Sequence, residues 1–439
     1  MASKSSEVSL DTPEFAVPSA NRVAVNRYVA DMMPIPASRM FEIKEALAKY
    51  KETAGADAPI YDASQGDGGA SLPGVPAHIL ERAYQLQVEH GTGYDKPYGT
   101  DAFRKIAAEN YWQLDAATGW GPQNIIFTQG GRDGLQKAYG AMIALGNQQI
   151  GDALVVSRVP WVSYNWGPYD VGLNVLRAPG RPEDQWRYTP EGIKACVDYA
   201  EREGRKVAGL VITSPDNPTG RTIPLSEQIE LARTALEAGY PFVLFDWIYH
   251  WVSDGGPNDI NEVLNAFSPA ERDRLIFLDG ITKSLGASNI RSAHLVAGAG
   301  FVKYINSRAS HGVIPSFYAQ AVAMAAYEEG FGKAAAPIIS ACGESRVVMR
   351  EVLGASGVDY VLGDGYYAFI DISKYIQAAG MSDGAAVSAW LGQTYGVTVV
   401  PGVHFSSAGA DWVRFSYALP PEKTRLAVDR FFEGLNSLL

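Results

Sequence analysis

Residues 275–291 read LIFLDGITKSLGASNIR, and this stretch gives the first indication of both fold and chemistry. The apolar run at 275–278 is typical of a buried strand, and Gly280 frees the backbone between that strand and Lys283. A lysine at the mouth of a buried strand is partly desolvated, which lowers the pKa of its amine and lets it form a Schiff base with a carbonyl. Arg291 follows eight residues on and can supply a fixed guanidinium. The alternative is an exposed lysine in a polar loop, which is the better interpretation of a single Lys-Ser pair.

Short apolar strands alternate with helices through the middle of the chain. We predict strands at residues 125–128, 153–157, 173–177, 207–213, 242–246 and 274–278, and helices near 191–202 and 226–237. Strands that are almost continuous in Val, Ile, Leu and Phe, with helices between them, indicate a mostly parallel sheet covered on both faces. The fold class is therefore α/β, and ligands of such sheets bind at the carboxyl ends of the strands.

The two ends of the chain predict a smaller α+β domain. After a strand at 294–297, the chain shows helices at 316–329, 333–354 and 420–435 and strands at 366–372, 397–400 and 412–417. We place an N-terminal arm and part of the small domain in residues 1–75, the large domain in 76–310 and the C-terminal small domain in 311–439. Residues 1 to about 30 show no clear period, so we expect an arm without a core element, able to wrap a partner subunit.

Composition excludes several classes of protein. The 37 basic and 48 acidic residues give a net charge of -11, which argues against nucleic acid as a partner. Cys196 and Cys342 are too few for a disulfide framework, and they belong to no metal-ligand pattern. The most apolar run, residues 241–252, is short and contains Asp246, so we expect no membrane span and a cytoplasmic protein.

A glycine turn follows the predicted strand at 125–128. The sequence Gln129-Gly130-Gly131-Arg132 leads into a helix that we expect to begin near Leu135. Free N–H groups and the helix dipole favour an anion at such a turn, so it can hold a phosphate. Many α/β proteins make the same turn for packing alone, and that alternative stays open.

Two further motifs follow strands of the same sheet. In Thr213-Ser214-Pro215-Asp216-Asn217-Pro218-Thr219-Gly220, two prolines hold the Asn217 amide rigidly where it can contact a ligand, or where it simply caps a turn. In Phe245-Asp246-Trp247-Ile248-Tyr249, Asp246 ends a strand that should be buried. A buried carboxylate needs a cation, which is either an arginine or a protonated heterocyclic nitrogen.

Together these residues resemble the class I/II aminotransferase family of fold-type I pyridoxal 5'-phosphate (PLP) enzymes, over about residues 62–435. The family shows a tyrosine loop, a glycine turn, a stacking aromatic, Asn-Pro-Thr-Gly, Asp-x-x-Tyr, a Schiff-base lysine with an arginine eight residues later, and Arg-x-Ser. This chain shows them in that order as Tyr94, Gly130 to Arg132, Trp161, Asn217 to Gly220, Asp246 to Tyr249, Lys283 to Arg291 and Arg414 to Ser416. The resemblance implies a seven-stranded-type sheet in the large domain.

The resemblance also implies PLP as the cofactor and gives roles around its ring. Lys283 would form the Schiff base and act as general acid and base, and Asp246 would keep the pyridine nitrogen protonated. Tyr249 and Asn217 would hydrogen-bond the phenolic oxygen of the ring. Trp161 would stack on the face of the ring.

The remaining implied roles concern the cofactor phosphate. The N–H groups of Gly131 and Arg132 would bind it, with charge from Arg291 and a hydroxyl from Thr282. Tyr94 would reach the same phosphate from the other subunit of a homodimer with shared active sites. The family commonly has a serine three residues before the lysine, where this chain has Gly280, so one phosphate hydroxyl is missing or replaced.

The substrate carboxylate would be bound by Arg414 through two parallel hydrogen bonds, with Asn217 and the backbone near Gly66 beside it. The candidates for side-chain contacts include Tyr164 and the loops at 66–70, 94–98 and 308–316, and they form no readable acidic or basic pocket. The substrate therefore stays unidentified at this point.

Transamination is the reaction that the resemblance implies first, from an L-amino acid to a 2-oxo acid such as 2-oxoglutarate or pyruvate. A PLP-dependent lyase, cyclase or oxidase would use the same residues, so these alternatives stay open. A non-catalytic PLP-sensing regulator would need a DNA-binding module, and no such basic helical segment is evident before residue 38. A scaffold without cofactor would form no adduct on Lys283.

Overall fold

The computed structural model describes residues 10–19, residue 22 and residues 39–439, and it is built around an eight-stranded sheet. In chain order the strands are β1 (Glu14–Phe15), β2 (Tyr61–Asp62), β3 (Ile125–Thr128), β4 (Ala153–Val156), β5 (Asn174–Arg177), β6 (Val207–Thr213), β7 (Val243–Asp246), β8 (Leu275–Gly280), β9 (Ala293–Ala297), β10 (Tyr360–Leu362), β11 (Tyr367–Asp371), β12 (Val397–Thr398), β13 (Val400–Pro401) and β14 (Trp412–Ser416). The large sheet has the order β1-β5-β4-β6-β7-β8-β9-β3.

The direction of the strands confirms the predicted mostly parallel sheet. Strands β5, β4, β6, β7 and β8 run parallel, and β9 lies antiparallel between β8 and β3. The residues of β4, β6, β7 and β8 are buried, as expected for strands that are covered on both faces. Their carboxyl ends all meet at one edge of the sheet, which is where the loops that carry the candidate site residues begin.

The sheet has one strand more than predicted, at its edge. Glu14–Phe15 pairs antiparallel with β5, and the side chains of Phe15 and Val17 are buried. The expectation that this segment contributes nothing to the core is therefore wrong, because a two-residue strand is too short to produce a periodic pattern. The rest of the predicted arm, residues 1–9, 20–21 and 23–38, lies outside the described residues.

Helices pack against the large sheet and also form much of both ends of the described chain. They are α1 (Met40–Ala54), α2 (Gly68–Ser71), α3 (Ala77–His90), α4 (Asp101–Ile106), α5 (Gly131–Leu145), α6 (Val162–Trp166), α7 (Pro190–Arg202), α8 (Leu225–Glu237), α9 (Ile260–Asn265), α10 (Pro269–Arg272), α11 (Ala299–Ala309), α12 (Phe317–Glu329), α13 (Phe331–Ser356), α14 (Ser373–Ala379), α15 (Gly384–Tyr395) and α16 (Pro421–Asn436). Among the described residues, no helix is both long and apolar enough to cross a membrane.

Helix α5 begins at Gly131 and not near Leu135. Gly131 and Gly134 hide the helical pattern because glycine is a poor helix former. The Asp133 side chain accepts the backbone N–H of Gln129 at 2.8 Å and fixes this first turn. The N–H groups of Gly131 and Arg132 therefore belong to the helix N-terminus itself.

A second, antiparallel sheet forms the small domain, in the order β10-β11-β14-β13. The start of the chain also contributes to this domain, because β2 pairs parallel with β12 in a separate two-stranded sheet. Its buried apolar side chains come from β11, β14 and the helices α13 and α16. The pairing of β2 with β12 agrees with a small domain built from both chain ends, while the exact domain boundaries stay a prediction.

Candidate active site

A cavity of about 1120 Å³ lies at the carboxyl ends of β6, β7 and β8, with side chains of the small sheet on its other side. The predicted site residues from distant parts of the chain meet in its wall. Those that line it are Gly66, Gly131, Arg132, Trp161, Asn217, Asp246, Tyr249, Thr282, Lys283, Arg291 and Arg414.

Lys283 lies in the loop after β8, and its amine is held inside the cavity. The Nζ atom donates a hydrogen bond to the carbonyl of Gly66, and the Tyr366 hydroxyl donates to the carbonyl of Lys283 itself at 2.5 Å. Burial lowers the pKa of the Lys283 amine, and the positive charges of Arg414 and Arg132 act in the same direction. A neutral amine is the nucleophilic form, so the site favours attack on a carbonyl.

Asp246 ends β7 and is almost fully buried. Its carboxylate accepts a hydrogen bond from the Tyr164 hydroxyl and one from the backbone N–H of Ile248 at 3.1 Å. Within the part of the chain that the structure describes, no Lys, Arg or His side chain forms an ion pair with it, so the predicted arginine partner is not found. Burial raises the pKa of Asp246 to about 6. The site therefore holds a carboxylate that a cationic ligand would stabilise.

Arg414 on β14 is oriented by neutral groups. Its Nη1 atom donates to Asn217 Oδ1 at 2.8 Å, and Nη2 donates to the carbonyl of Ser64 at 2.7 Å. The Tyr367 ring lies under the guanidinium, with 4.3 Å between Cζ and the ring centre. No described carboxylate pairs with this buried arginine, which leaves its charge available for a bound carboxylate.

Two further arginines meet at the N-terminus of α5. Gly130 has a φ of +84°, and a Cβ atom there would lie 2.2 Å from Nη2 of Arg291. Among the described residues, the Arg291 guanidinium donates only to the carbonyls of Ser288 at 2.8 Å and Gln129 at 3.4 Å. Arg132 lies 5.3 Å from the centre of the Trp161 ring. Burial and the neighbouring Arg291 lower the pKa of Arg132, as expected for two like charges that lie close together.

Hydroxyl groups at this end of the cavity differ from the family pattern. A Cβ atom at Gly280 would lie 2.6 Å from the Ala293 backbone, so the serine common in the family does not fit at this position. The Thr282 hydroxyl is buried and has no hydrogen-bond partner among the described residues. Thr282 therefore carries an unpartnered hydroxyl in the wall of the same cavity as Arg132 and Arg291.

Neither the candidate loops at 95–98 and 308–316 nor Tyr94 reaches the cavity of this chain. The Tyr94 side chain is 96% exposed and is absent from the cavity wall. Three other tyrosines reach the site, and of these the sequence proposed only Tyr164. Tyr164, a candidate for contact with the substrate, lines the cavity and hydrogen-bonds Asp246, while Tyr366 bonds the Lys283 carbonyl and Tyr367 bonds the Tyr249 hydroxyl from the start of β11. The signal for the last two is their place after Gly363 and Gly365, at the start of the strand predicted at 366–372.

The family model described as aminotransferase class I and II matches residues 63–431. The chain belongs to this family. The aspartate aminotransferase of Bacillus subtilis is 25% identical to this aminotransferase over 368 residues, which cover 82% of the chain and 89% of the relative. The aspartate/prephenate aminotransferase of Thermus thermophilus is 26% identical over 365 residues, which cover 81% and 87%.

Solved structures share the fold of this chain. A double mutant of Thermus thermophilus aspartate aminotransferase superposes with a TM-score of 0.77 at 23% identity, over 93% of this aminotransferase and 100% of the other chain. An aminotransferase from Mycobacterium tuberculosis gives a TM-score of 0.77 at 21% identity, over 94% and 100%. The family and its relatives identify the protein as an enzyme that transfers amino groups, and they do not favour the lyase, cyclase, oxidase or sensor alternatives.

Proposed function

We propose that this aminotransferase binds PLP as a Schiff base on Lys283 and uses it to move the amino group of an L-amino acid to a 2-oxo acid. The observation that carries the proposal is the buried Asp246 carboxylate, which has no basic partner among the described residues and lies in the same cavity as Lys283, Arg132 and Arg291. A pyridinium nitrogen and a phosphate dianion are complementary to these charges.

The residues present fit this cofactor at both of its ends. Arg132, Arg291 and the orphaned Thr282 hydroxyl would hold the phosphate at the N-terminus of α5. Asp246 would keep the ring nitrogen protonated, with Trp161 as the stacking ring and Tyr249 and Asn217 as hydrogen-bond partners of the phenolic oxygen. PLP supplies an aldehyde that condenses with amines and a protonated ring that accepts electrons from the substrate Cα.

The chain then supplies proton transfer and orientation. The lowered pKa of Lys283 makes its amine a base, so it can remove and return a proton at the substrate Cα. Arg414 would hold the substrate carboxylate, with its own position fixed by Asn217 and Ser64. Both groups line the same cavity, which supports binding of a substrate carboxylate with its Cα within reach of the Lys283 amine.

A homodimer completes the proposal. Tyr94 is fully exposed, and Tyr84, Val88 and Val313 are exposed apolar side chains on α3 and before α12. Helices α3 and α12 pack against each other, so these residues belong to one region of the surface. We infer that a second copy covers this region and receives the Tyr94 hydroxyl near its phosphate site.

The test is to add PLP to the purified protein, reduce with borohydride and map the modified peptide. We expect one adduct, on Lys283, and none in Lys283→Ala, while Lys137→Ala is labelled as the wild type. Aspartate is the first donor to test because several relatives are named for it, with 2-oxoglutarate and pyruvate as acceptors. Absence of the Lys283 adduct would refute the assignment of the site.

A further inference from the structure

We infer that Tyr367 is a positioning residue of the active site, whose hydroxyl orients Tyr249 while its ring orients Arg414. The inference rests on the proposed function, because Tyr249 and Arg414 are the groups assigned to the cofactor and the substrate carboxylate. No sequence motif singles out Tyr367, which lies at the start of β11 and is 1% exposed.

The hydroxyl of Tyr367 contacts Tyr249 directly. The two phenolic oxygens are 3.0 Å apart, both residues are buried, and both line the cavity. Burial holds the pKa of Tyr249 well above its ordinary value of 10, so Tyr249 keeps its proton at neutral pH. When that proton is donated to a ligand, Tyr367 must be the donor between the two tyrosines, because each phenol has a single proton.

This direction of donation decides the expected effect. A phenol that accepts a hydrogen bond becomes a stronger donor itself, so Tyr367 strengthens the bond that Tyr249 makes to a ligand oxygen. A stronger donor stabilises the deprotonated, anionic form of that oxygen. Loss of the Tyr367 hydroxyl should therefore raise the midpoint pH at which PLP bound to the enzyme is deprotonated.

The ring of Tyr367 has a separate role. The Arg414 guanidinium lies 4.3 Å from the ring centre, which is a cation–π geometry, while its hydrogen bonds go to Asn217 and Ser64. Substitution of Tyr367 by Phe removes the hydroxyl and keeps this contact. Substitution by Leu removes both.

Other ionisable groups surround the pair and are unchanged by these substitutions. Lys283 lies 5.8 Å from the centre of the Tyr249 ring, and Tyr366 packs edge-on against it. The Arg414 charge lowers the pKa of Tyr249, whereas Tyr367 and the Asp67 charge raise that of Lys283. A shift of the titration midpoint in Tyr367→Phe is therefore attributable to the lost hydroxyl.

The experiment is a pH titration of the absorption spectrum of the PLP-loaded enzyme, together with KM for the amino donor. For Tyr367→Phe we expect the midpoint to rise by about 0.4 to 1 pH unit, the equivalent of one lost hydrogen bond, with KM changed less than about twofold. For Tyr367→Leu we expect the same rise and a KM increase of at least about threefold. In a Tyr249→Phe background, Tyr367→Phe should add no further shift.

Tyr375→Phe is the matched control. Tyr375 is a buried tyrosine of α14 whose hydroxyl bonds Asn436 at 3.2 Å, and it should leave both midpoint and KM at wild-type values. Two results would overturn the inference. One is a titration midpoint of folded Tyr367→Phe within 0.2 pH unit of the wild type, and the other is an added shift in the Tyr249→Phe background. Failure of the proposed function is a different result, because the wild type would then form no adduct on Lys283.

Discussion

Gly66→Ala tests how tightly the carboxylate side of the cavity is packed. A Cβ atom at residue 66 would lie 2.0 Å from the Tyr367 hydroxyl oxygen and 3.1 Å from its Cζ atom. The backbone of Gly66 is not left-handed, so alanine is excluded by this contact and not by its own φ. Ordinary van der Waals contact requires about 3.4 Å, so the tyrosine would have to move by more than 1 Å.

That movement disturbs several interactions at once. Tyr367 is held by the Tyr249 hydroxyl and by Arg414, and the carbonyl of Gly66 accepts the Lys283 amine. Overpacking of a buried site costs about 1–3 kcal/mol, and we expect a loss of this size in the free energy of unfolding. Because Arg414 shifts with the ring, KM for the amino donor should rise by about 10-fold or more.

The loss of stability and the rise in KM can be measured by urea denaturation and steady-state kinetics. The proteins to compare are Gly66→Ala, Tyr367→Phe and the double variant. Removal of the hydroxyl leaves Cζ as the nearest atom at 3.1 Å, so a shift of a few tenths of an ångström is enough. The double variant should therefore be at least about 0.5 kcal/mol more stable than additivity predicts. Strict additivity, or a Gly66→Ala variant as stable as the wild type, would refute the packing argument.

Three further predictions concern charge and the second subunit. The pKa of Asp246 rises on folding from 3.8 to about 6, so the free energy of unfolding of the cofactor-free protein should fall as pH rises through that range. Cofactor-free Asp246→Asn lacks this fall and should be up to about 3 kcal/mol more stable than the wild type in urea at pH 8, with no difference below pH 4, whereas PLP-loaded Asp246→Asn should be far less active than the PLP-loaded wild type. Arg414→Lys should raise KM for the donor by about 10- to 100-fold, since lysine cannot form two parallel hydrogen bonds to a carboxylate. Tyr94→Phe should weaken PLP binding by about 10-fold in equilibrium dialysis, with Tyr84→Phe as the exposed control that leaves it unchanged.

The sequence predicts the parts of this site that follow directly from a strand end. Asp246, Asn217 and Lys283 come at fixed, short distances after apolar strands, and the parallel sheet brings their loops to one edge. The same reasoning failed for β1, whose two residues carry no period, and for the start of α5, where glycines hide the helix. Local pattern therefore locates long buried strands and misses short edge elements.

Contacts between the two sheets are the part that the sequence could not provide. Tyr367 reaches Tyr249 across 118 positions, and Arg414 reaches Asn217 across 197, a pairing that only the family resemblance had implied. Such pairs depend on how the small sheet is oriented over the large one, which no local pattern encodes. Tyr164 shows the same limit, because its spacing from Trp161 places it near the site but does not tell which group its hydroxyl meets.

The charges of this cavity also explain why cofactor binding and folding should be coupled. Arg132 and Arg291 repel each other, and Asp246 is a buried acid without a cation among the described residues. Each of these groups costs stability in the isolated chain, and each is complementary to a different part of one ligand. A ligand that binds only the folded form stabilises it in proportion to the logarithm of its concentration. PLP should therefore raise the melting temperature of the wild type strongly and that of Asp246→Asn much less, and equal shifts in the two proteins would contradict the pairing of Asp246 with the ring nitrogen.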